Sequence, residues 1–269
     1  MTRLDGRVAL VTGSTDGVGR VVATRLGASG AHVLVHGRNP ARGAAVVAAI
    51  AEAGGSADFI AADFASLAEV RRLADTVLTR TDRLDILINN AGIGTAGAGR
   101  ETSADGHELR FAVNYLAGFL LTHLLLDRLA DSAPARIVNV TSAGQQAIEF
   151  GNVMLTPDYS GPRAYCQSKL AQVMFTFDLA EQLSGSGVTV NCLHPATYMD
   201  TTMVRAAGVT PVSRVEDGAE AILNLAIRPD LRSGLYFNGM RESRADAQAY
   251  DEHARQRLRE LSLALAGLG

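Results

Sequence analysis

Tyr165 and Lys169 stand four residues apart in Tyr165-Cys166-Gln167-Ser168-Lys169, at the start of a strongly helical stretch. Residues at that spacing share a helix face, so the phenol and the ammonium address the same space. A free tyrosine titrates near ~10 and is a poor acid–base group at neutral pH. A neighbouring ammonium favours the phenolate, lowers that pKa and makes the hydroxyl a usable proton donor or acceptor. Ser142 ends Val138-Asn139-Val140-Thr141-Ser142, directly after a strand-like run. There its hydroxyl can polarise a carbonyl oxygen as the tyrosine protonates it. Each also has an ordinary reading, as a chance Tyr/Lys pair on a helix and as a turn or cap serine.

A second set of residues suits a phosphate-bearing ligand. Gly13, Ser14, Thr15, Asp16, Gly17, Val18 and Gly19 lie between a first strand and a first helix. Glycines there permit a tight turn and close approach of a diphosphate, and the helix N-terminus offers N–H groups and a positive dipole end. Three glycines could equally solve a packing problem, but their place directly after an N-terminal strand points to a dinucleotide site. Asn89-Asn90-Ala91-Gly92 follows a fourth strand and taken alone is an Asn/Gly turn. Past the second strand, His36-Gly37-Arg38-Asn39 lacks the acid that would bind the ribose of NAD and repel the phosphate of NADP. Arg38 could pair with that phosphate or be a surface arginine. Asp16 counts the other way, being acidic where a basic residue would help. NADP(H) is favoured, with NAD(H) still open.

The elements that must position these residues alternate along the chain. Strand-like runs at Val8–Val11, His32–Val35, Ala57–Ala61, Leu84–Asn89, Arg136–Thr141, Val188–Leu193 and Leu235–Phe237 are separated by Ala/Leu-rich helical segments. The helices are expected at Gly19–Ser29, Pro40–Ala53, from Ser66 with capping-box spacing, Ser103–Leu129, Ala164–Leu183 and Glu216–Ala226. This alternation predicts an α/β fold: a single-domain, doubly wound (Rossmann-type), mostly parallel sheet with helices on both faces. Ligands of such sheets bind beyond the carboxyl ends of the strands, where all these motifs fall. After Arg244 an amphipathic helix is expected, with Ala247, Tyr250, Ala254, Leu258 and Leu261 along one face.

The Gly-x-x-x-Gly-x-Gly turn, Asn-Asn-Ala-Gly, Ser142 and Tyr165/Lys169, in this order and context, resemble the short-chain dehydrogenase/reductase family over about Arg7–Phe237. The resemblance implies a tetrad completed by Asn114, which would support a proton relay to Lys169. An amide bonded back to its own helix remains the alternative. It further implies that Lys169 holds the nicotinamide ribose, and that Asp63 contacts the adenine unless it is a turn residue. Asn90, Ala91, Gly92, Pro195 and Thr197 would line the cofactor. Two departures stand out. His194-Pro195-Ala196-Thr197 occurs where the family usually has Pro-Gly, and Gln145–Pro162 resembles the insertion of retinol dehydrogenase-like members.

The expected activity is hydride exchange between NADP(H) and the carbonyl or alcohol of a medium-sized, largely apolar small molecule. The substrate would be bounded by residues 145–162 and 197–209, and a loop carrying Gly151 and Gly161 could close over it. A nonredox enzyme reusing the tyrosine and a noncatalytic nucleotide-binding scaffold are the competing classes. A homodimer or homotetramer through the Ser103–Leu129 and Ala164–Leu183 segments is expected by resemblance.

Composition narrows the field further. A net charge of −3 gives no electrostatic footprint for nucleic acid, and Arg255, Arg257 and Arg259 read as a solvated helix face. Cys166 and Cys192, without ligand-spaced partners, argue against a metal site and suggest buried thiols in a reducing compartment. With a first strand starting almost at once and no membrane-length apolar run, a cytoplasmic protein without membrane partners is expected.

Overall fold

The computed structural model describes residues 3–97 and 99–269. Strand β1 (Val8–Val11) leads through a turn to helix α1 (Gly17–Ala28), followed by β2 (His32–Gly37), α2 (Pro40–Glu52), β3 (Ser56–Ala61), α3 (Leu67–Arg80) and β4 (Ile86–Asn89). A π-helical turn, Phe111–Leu116, runs into α4 (Ala117–Asp131). Then come β5 (Ala135–Val140), α5 (Gly161–Gln182), β6 (Val188–His194), α6 (Thr202–Ala206), α7 (Val215–Ile227), β7 (Tyr236–Asn238), β8 (Arg241–Ser243) and α8 (Glu252–Ala266). The sheet order is β3-β2-β1-β4-β5-β6-β7-β8, parallel throughout except for β8. The strand order reverses between β1 and β4, which opens a crevice at their carboxyl ends.

Buried β-branched and leucine-rich strands explain the two-sided packing. All four residues of both β1 and β4 are buried, so helices must cover both faces. Helices α1, α2 and α7 pack one core, which includes Val11, Val22, Val35, Ile88 and Ile222. Helices α3, α4, α5 and α8 pack the other, which includes Leu87, Phe119, Leu125, Met174 and Leu258.

Several boundaries differ from the sequence expectation. The helix expected from Ser103 begins only at Leu109. Ser103 instead bonds the N–H groups of Asp105 and His107, Gly106 takes a left-handed φ of 82°, and Thr102 bridges to Glu108. The Glu108 carboxylate then accepts from the Phe111 N–H at 2.7 Å and caps the helix. Helix α5 starts earlier than expected because Ser160 caps it and Pro162 sits in its first turn, where no N–H is needed. The expected C-terminal helix is broken: Ala247–Tyr250 form a 3₁₀ turn, and Asp251 caps α8.

Two of the three C-terminal arginines are engaged with acids of α5, and Arg257 alone stays exposed. Arg255 pairs with Glu181 at 2.7 Å and Arg259 with Asp178 at 2.7 Å, while Arg257 lies over the Phe150 ring. The buried hydroxyls of Tyr115 and Ser262 meet at 2.7 Å. Together these contacts lay α8 along α5, whose residues from Gln167 to Ala180 are all buried. The α5 face expected to build a dimer is therefore covered within the chain.

At the opposite end of the strands, Asp85 gathers β1 and β4. Its carboxylate accepts from the Val8 N–H (2.8 Å), Arg7 (2.5 Å) and Arg83 (2.6 Å). Burial alone would raise this carboxyl, but the hydrogen bonds from Arg83, Arg7 and Val8 outweigh it and hold it below the usual range. A depressed carboxylate stabilises the fold above its unfolded pKa and loses that contribution as pH falls. Asp85→Asn should lower the urea unfolding free energy by about 2 kcal/mol at neutral pH and flatten the acid limb below about pH 4.

Candidate active site

The turns after β1 and β4 are stitched together. The Thr12 hydroxyl accepts from the N–H groups of Asn90 (2.9 Å) and Ala91 (3.0 Å), and the Asn90 amide donates to the carbonyls of Thr12 (2.8 Å) and Gly13 (3.1 Å). The chains approach so closely that a Cβ on Gly13 would lie 2.8 Å from the Ala91 Cα. One on Gly19 would lie 2.4 Å from the Asn90 amide nitrogen. Gly13 is also left-handed, at φ 63°. Ser14 turns inward, donating to the Val11 carbonyl at 2.7 Å and accepting from the His36 N–H at 3.0 Å. Asp16 caps α1 by accepting from Gly17. The first-turn N–H groups of Val18 and Gly19 point out of the helix end, and with this cradle they fit a diphosphate.

His36 is a part of this scaffold that the sequence reading passed over. Its Nδ1 accepts from the Gly13 N–H at 3.1 Å, so Nε2 carries the proton and donates to the Ala62 carbonyl at 3.1 Å. The ring stacks on Phe64 with centroids 4.5 Å apart. Burial holds it neutral, with its pKa lowered to about 4. The sequence signal was a histidine directly after the apolar run Val33-Leu34-Val35.

Two arginines flank the end of β2. Arg38 is exposed, 3.8 Å from the Asp63 carboxylate. Asp63 also fulfils its turn role, since it accepts from the Ala65 N–H at 3.0 Å. Arg42, which sequence reading missed, lies in the first turn of α2, 3.5 Å from Asp16. Its signal was its place four residues beyond Arg38. The acidity of Asp16 is thus partly answered: burial would raise its carboxyl, but bonds from Thr202 and Gly17 and the charge of Arg42 hold it low. Thr15 packs against Gly37 in the same corner.

Across the crevice, the chemistry-bearing side chains come together. Ser142, just beyond β5, accepts from the Gly144 N–H at 3.0 Å, and its hydroxyl and the Tyr165 ring in the first turns of α5 converge beside Gly144, where an added Cβ would lie 3.5 Å and 3.9 Å from them. Lys169 is buried one turn later, its Nζ 5.8 Å from the centre of the Tyr165 ring. The ammonium donates to the Val140 carbonyl at 3.0 Å and the Gln172 amide oxygen at 2.8 Å. Burial lowers the Lys169 pKa to about 7. The Tyr165 phenol, expected to be lowered by its neighbour, is instead raised by burial, with Ser142 working against that rise. The difference arises because the ammonium is itself desolvated and turned toward Val140 and Gln172.

Asn114 lies in the π-helical turn and does not bond back to its own helix. Its oxygen accepts from the Ile93 N–H at 2.7 Å, and its nitrogen donates to the Ile93 carbonyl (3.2 Å) and Ser168 (3.0 Å). Ser168 in turn donates to the Tyr165 carbonyl at 2.7 Å. One amide therefore ties the Asn90-Ala91-Gly92 turn to α5, and the extra residue of the π turn aims it there. A Cβ on Gly92 would lie 3.2 Å from the Asn114 oxygen and 3.6 Å from Lys169 Nζ.

The rims are more ordered than expected. Segment 145–160 is packed, not a free flap: Ile148, Val153 and Leu155 are buried, and Ile148 and Gln248 exchange backbone–amide bonds. Gly161 belongs to α5 and is no hinge. Buried Arg110 ties the carbonyls of Gly94 and Ala96 to the Tyr159 hydroxyl. On the other rim, Thr197 bonds the His194 ring at 3.1 Å, and Pro195 packs near Gly218. Helix α6 reaches the glycine turn, where Thr202 donates to Asp16 at 2.8 Å. Cys192 is buried and its thiol is raised to about 12, whereas Cys166, beside Tyr165, is only half-buried. Among the described residues no His/Cys/Asp/Glu cluster suits a metal ion, and no helix is long and apolar enough to cross a membrane.

Comparison with known proteins matches residues 7–210 to the short chain dehydrogenase family. The human protein named retinol dehydrogenase 13 is 36% identical, with 98% of this chain and 86% of that protein covered. Bovine dehydrogenase/reductase SDR family member 13 is 38% identical, covering 100% and 75%. Among solved structures, an uncharacterised protein from Mycobacterium paratuberculosis superposes with TM-score 0.83 at 28% identity, over 99% of this chain and 96% of that one. A short-chain dehydrogenase from Burkholderia cenocepacia, solved in complex with NADP, gives TM-score 0.72 at 30% identity, over 88% and 97%.

Because the folded pKa of His36 is depressed, its contribution is full above the unfolded value of 6.5 and is lost as pH falls toward about 4. Stability measured by denaturant titration should drop by about 3 kcal/mol across that window. In His36→Asn, whose amide oxygen can take the Gly13 N–H, this slope should disappear.

Proposed function

Because the chain belongs to the short-chain dehydrogenase/reductase family, of retinol dehydrogenase type, we propose that it is an NADP(H)-dependent oxidoreductase of small carbonyl or alcohol compounds. The observation that carries this reading is the convergence of Ser142 and Tyr165 beside Gly144 with Lys169 buried one helical turn away. When bound, the nicotinamide cofactor supplies or accepts the hydride.

The residues of the chain divide the remaining work. A phenol raised by burial is protonated at neutral pH, so Tyr165 is ready to donate its proton to a carbonyl oxygen. Ser142 orients that oxygen and stabilises the charge that develops on it. The Lys169 ammonium stabilises the tyrosinate left behind, and a relay past Asn114 restores the proton. Gly13 to Gly19 with Asn90, Ala91 and Gly92 hold the diphosphate side of the cofactor, and Pro195 and Thr197 its nicotinamide side. Asp63 borders the adenine.

For the 2′-phosphate, the reading rests on Arg38 and Arg42 at the end of β2, where no acid follows the strand. For the substrate, relatives named for retinol, a lipophilic alcohol, agree with rims whose exposed side chains include Tyr198, Met203 and Val212. Reduction is the proposed direction. Any homodimer or homotetramer formed over the α5 side would meet α8 first.

Turnover of a panel of apolar aldehydes and ketones with NADPH and NADH tests the proposal. Tyr165→Phe should lower kcat about 10³-fold while NADPH still binds. Arg38→Ala and Arg42→Ala should each weaken NADPH about 10-fold and leave NADH unchanged. Tight NADPH binding with no turnover across the panel would reject the oxidoreductase reading in favour of a nonredox enzyme or a scaffold.

A further inference from the structure

Lys169 is the sole lysine of the chain, every other long cationic side chain being arginine. It is only 5% exposed, and among the described residues no Asp or Glu pairs with it. A buried ammonium without a carboxylate must be held by neutral dipoles or lose its proton. Two such dipoles reach it, the Val140 carbonyl and the Gln172 side chain, which is itself 4% exposed. The titratable groups facing it are Tyr165 from α5 and His194 from β6, and neither brings a negative charge at neutral pH.

Gln172 is held in turn by a buried polar ladder. Its backbone carbonyl accepts from Thr176 (2.8 Å), whose hydroxyl accepts from Asn139 (2.8 Å). Asn139 accepts from Asn89 (2.9 Å), which also donates to Thr122 of α4 (2.9 Å). The ladder spans α4, β4, β5 and α5, so the turn carrying Gln172 is fixed in register with the sheet.

We propose that Gln172 is a positioning residue: with the Val140 carbonyl, its amide oxygen holds the Lys169 ammonium in place beside Tyr165 and keeps it charged. Two of the three ammonium N–H groups are thereby committed, and the third is left for the open side of the site toward Gly92. The catalytic consequence rests on the proposed oxidoreductase reading; the coupling between the two side chains does not.

The single lysine makes this directly measurable. Protein grown with ¹³C,¹⁵N-lysine gives one side-chain signal, and its Cε shift followed against pH reads the Lys169 midpoint without turnover. Gln172→Leu should move that midpoint down by about one pH unit, and Gln172→Glu should move it up by at least as much. In activity assays, Gln172→Leu should lower kcat about 10-fold at neutral pH with KM for the carbonyl unchanged, its pH–rate profile following the NMR midpoint. Gln172→Glu, which keeps shape and acceptor, also serves if the leucine variant fails to fold. Wild-type midpoints in the variants that fold would overturn the proposal, even if their activity falls. Shifted midpoints in a protein that reduces nothing would support the Gln172 assignment and reject the oxidoreductase reading alone.

Discussion

The feature on which the rest of this fold depends is an ammonium buried beside a phenol with no carboxylate among the described residues to neutralise it. Lys169 has given up water for one carbonyl and one amide oxygen, and desolvation brings its proton affinity close to neutrality. Such a group persists only where the surroundings are rigid enough to keep its acceptors in place. Much of the surrounding architecture serves that rigidity. Helix α5 is walled on every side from Gln167 to Ala180, the β5 strand offers its terminal carbonyl, and the polar ladder through Asn139 and Asn89 locks helix to sheet.

The same constraint ties the two halves of the crevice together. Asn114 ties the turn after β4 to α5, and Thr12 with Asn90 ties that turn to the glycine-rich one. A displacement of the cradle that fits a diphosphate would therefore reach Tyr165 through only two side-chain amides. The rims proposed to bound the substrate are built on different physics: buried Arg110 and apolar residues of the 145–160 segment fix one wall. On the other, α6 rests on the glycine turn through the bond from Thr202 to Asp16.

Much of this was legible in the sequence because the chemistry requires particular residue types at particular spacings. Tyr165 and Lys169 had to share a helix face, Gly13 and Gly19 had to lack side chains, and Ser142 had to follow a strand. The alternation of buried strands and helices fixed the sheet class for the same reason. What escaped notice was set by tertiary contact. Nothing local marks His36 as the acceptor for Gly13, and Arg42 becomes relevant only once α2 swings it to Asp16. The true start of the helix carrying Asn114 depends on how Ser103 and Gly106 form a turn. Arg255 and Arg259 of α8 looked solvated because their acidic partners, Glu181 and Asp178, lie on another helix. Periodicity reports which groups are neighbours but not how much water each has lost, so the burial that raises the Tyr165 phenol had no local signal.

The central claim, that this constellation reduces a carbonyl by direct transfer from a nicotinamide while Tyr165 protonates the oxygen, is tested most directly by isotope tracing. An apolar aldehyde would be incubated with protein and NADPH carrying deuterium stereospecifically at C4 of the nicotinamide, and the alcohol analysed by mass spectrometry. One of the two C4 labels should be recovered on the carbinol carbon, one deuterium per NADPH consumed. Alcohol formed without deuterium from either C4-labelled form, or NADPH retained unchanged on the protein, would contradict the account.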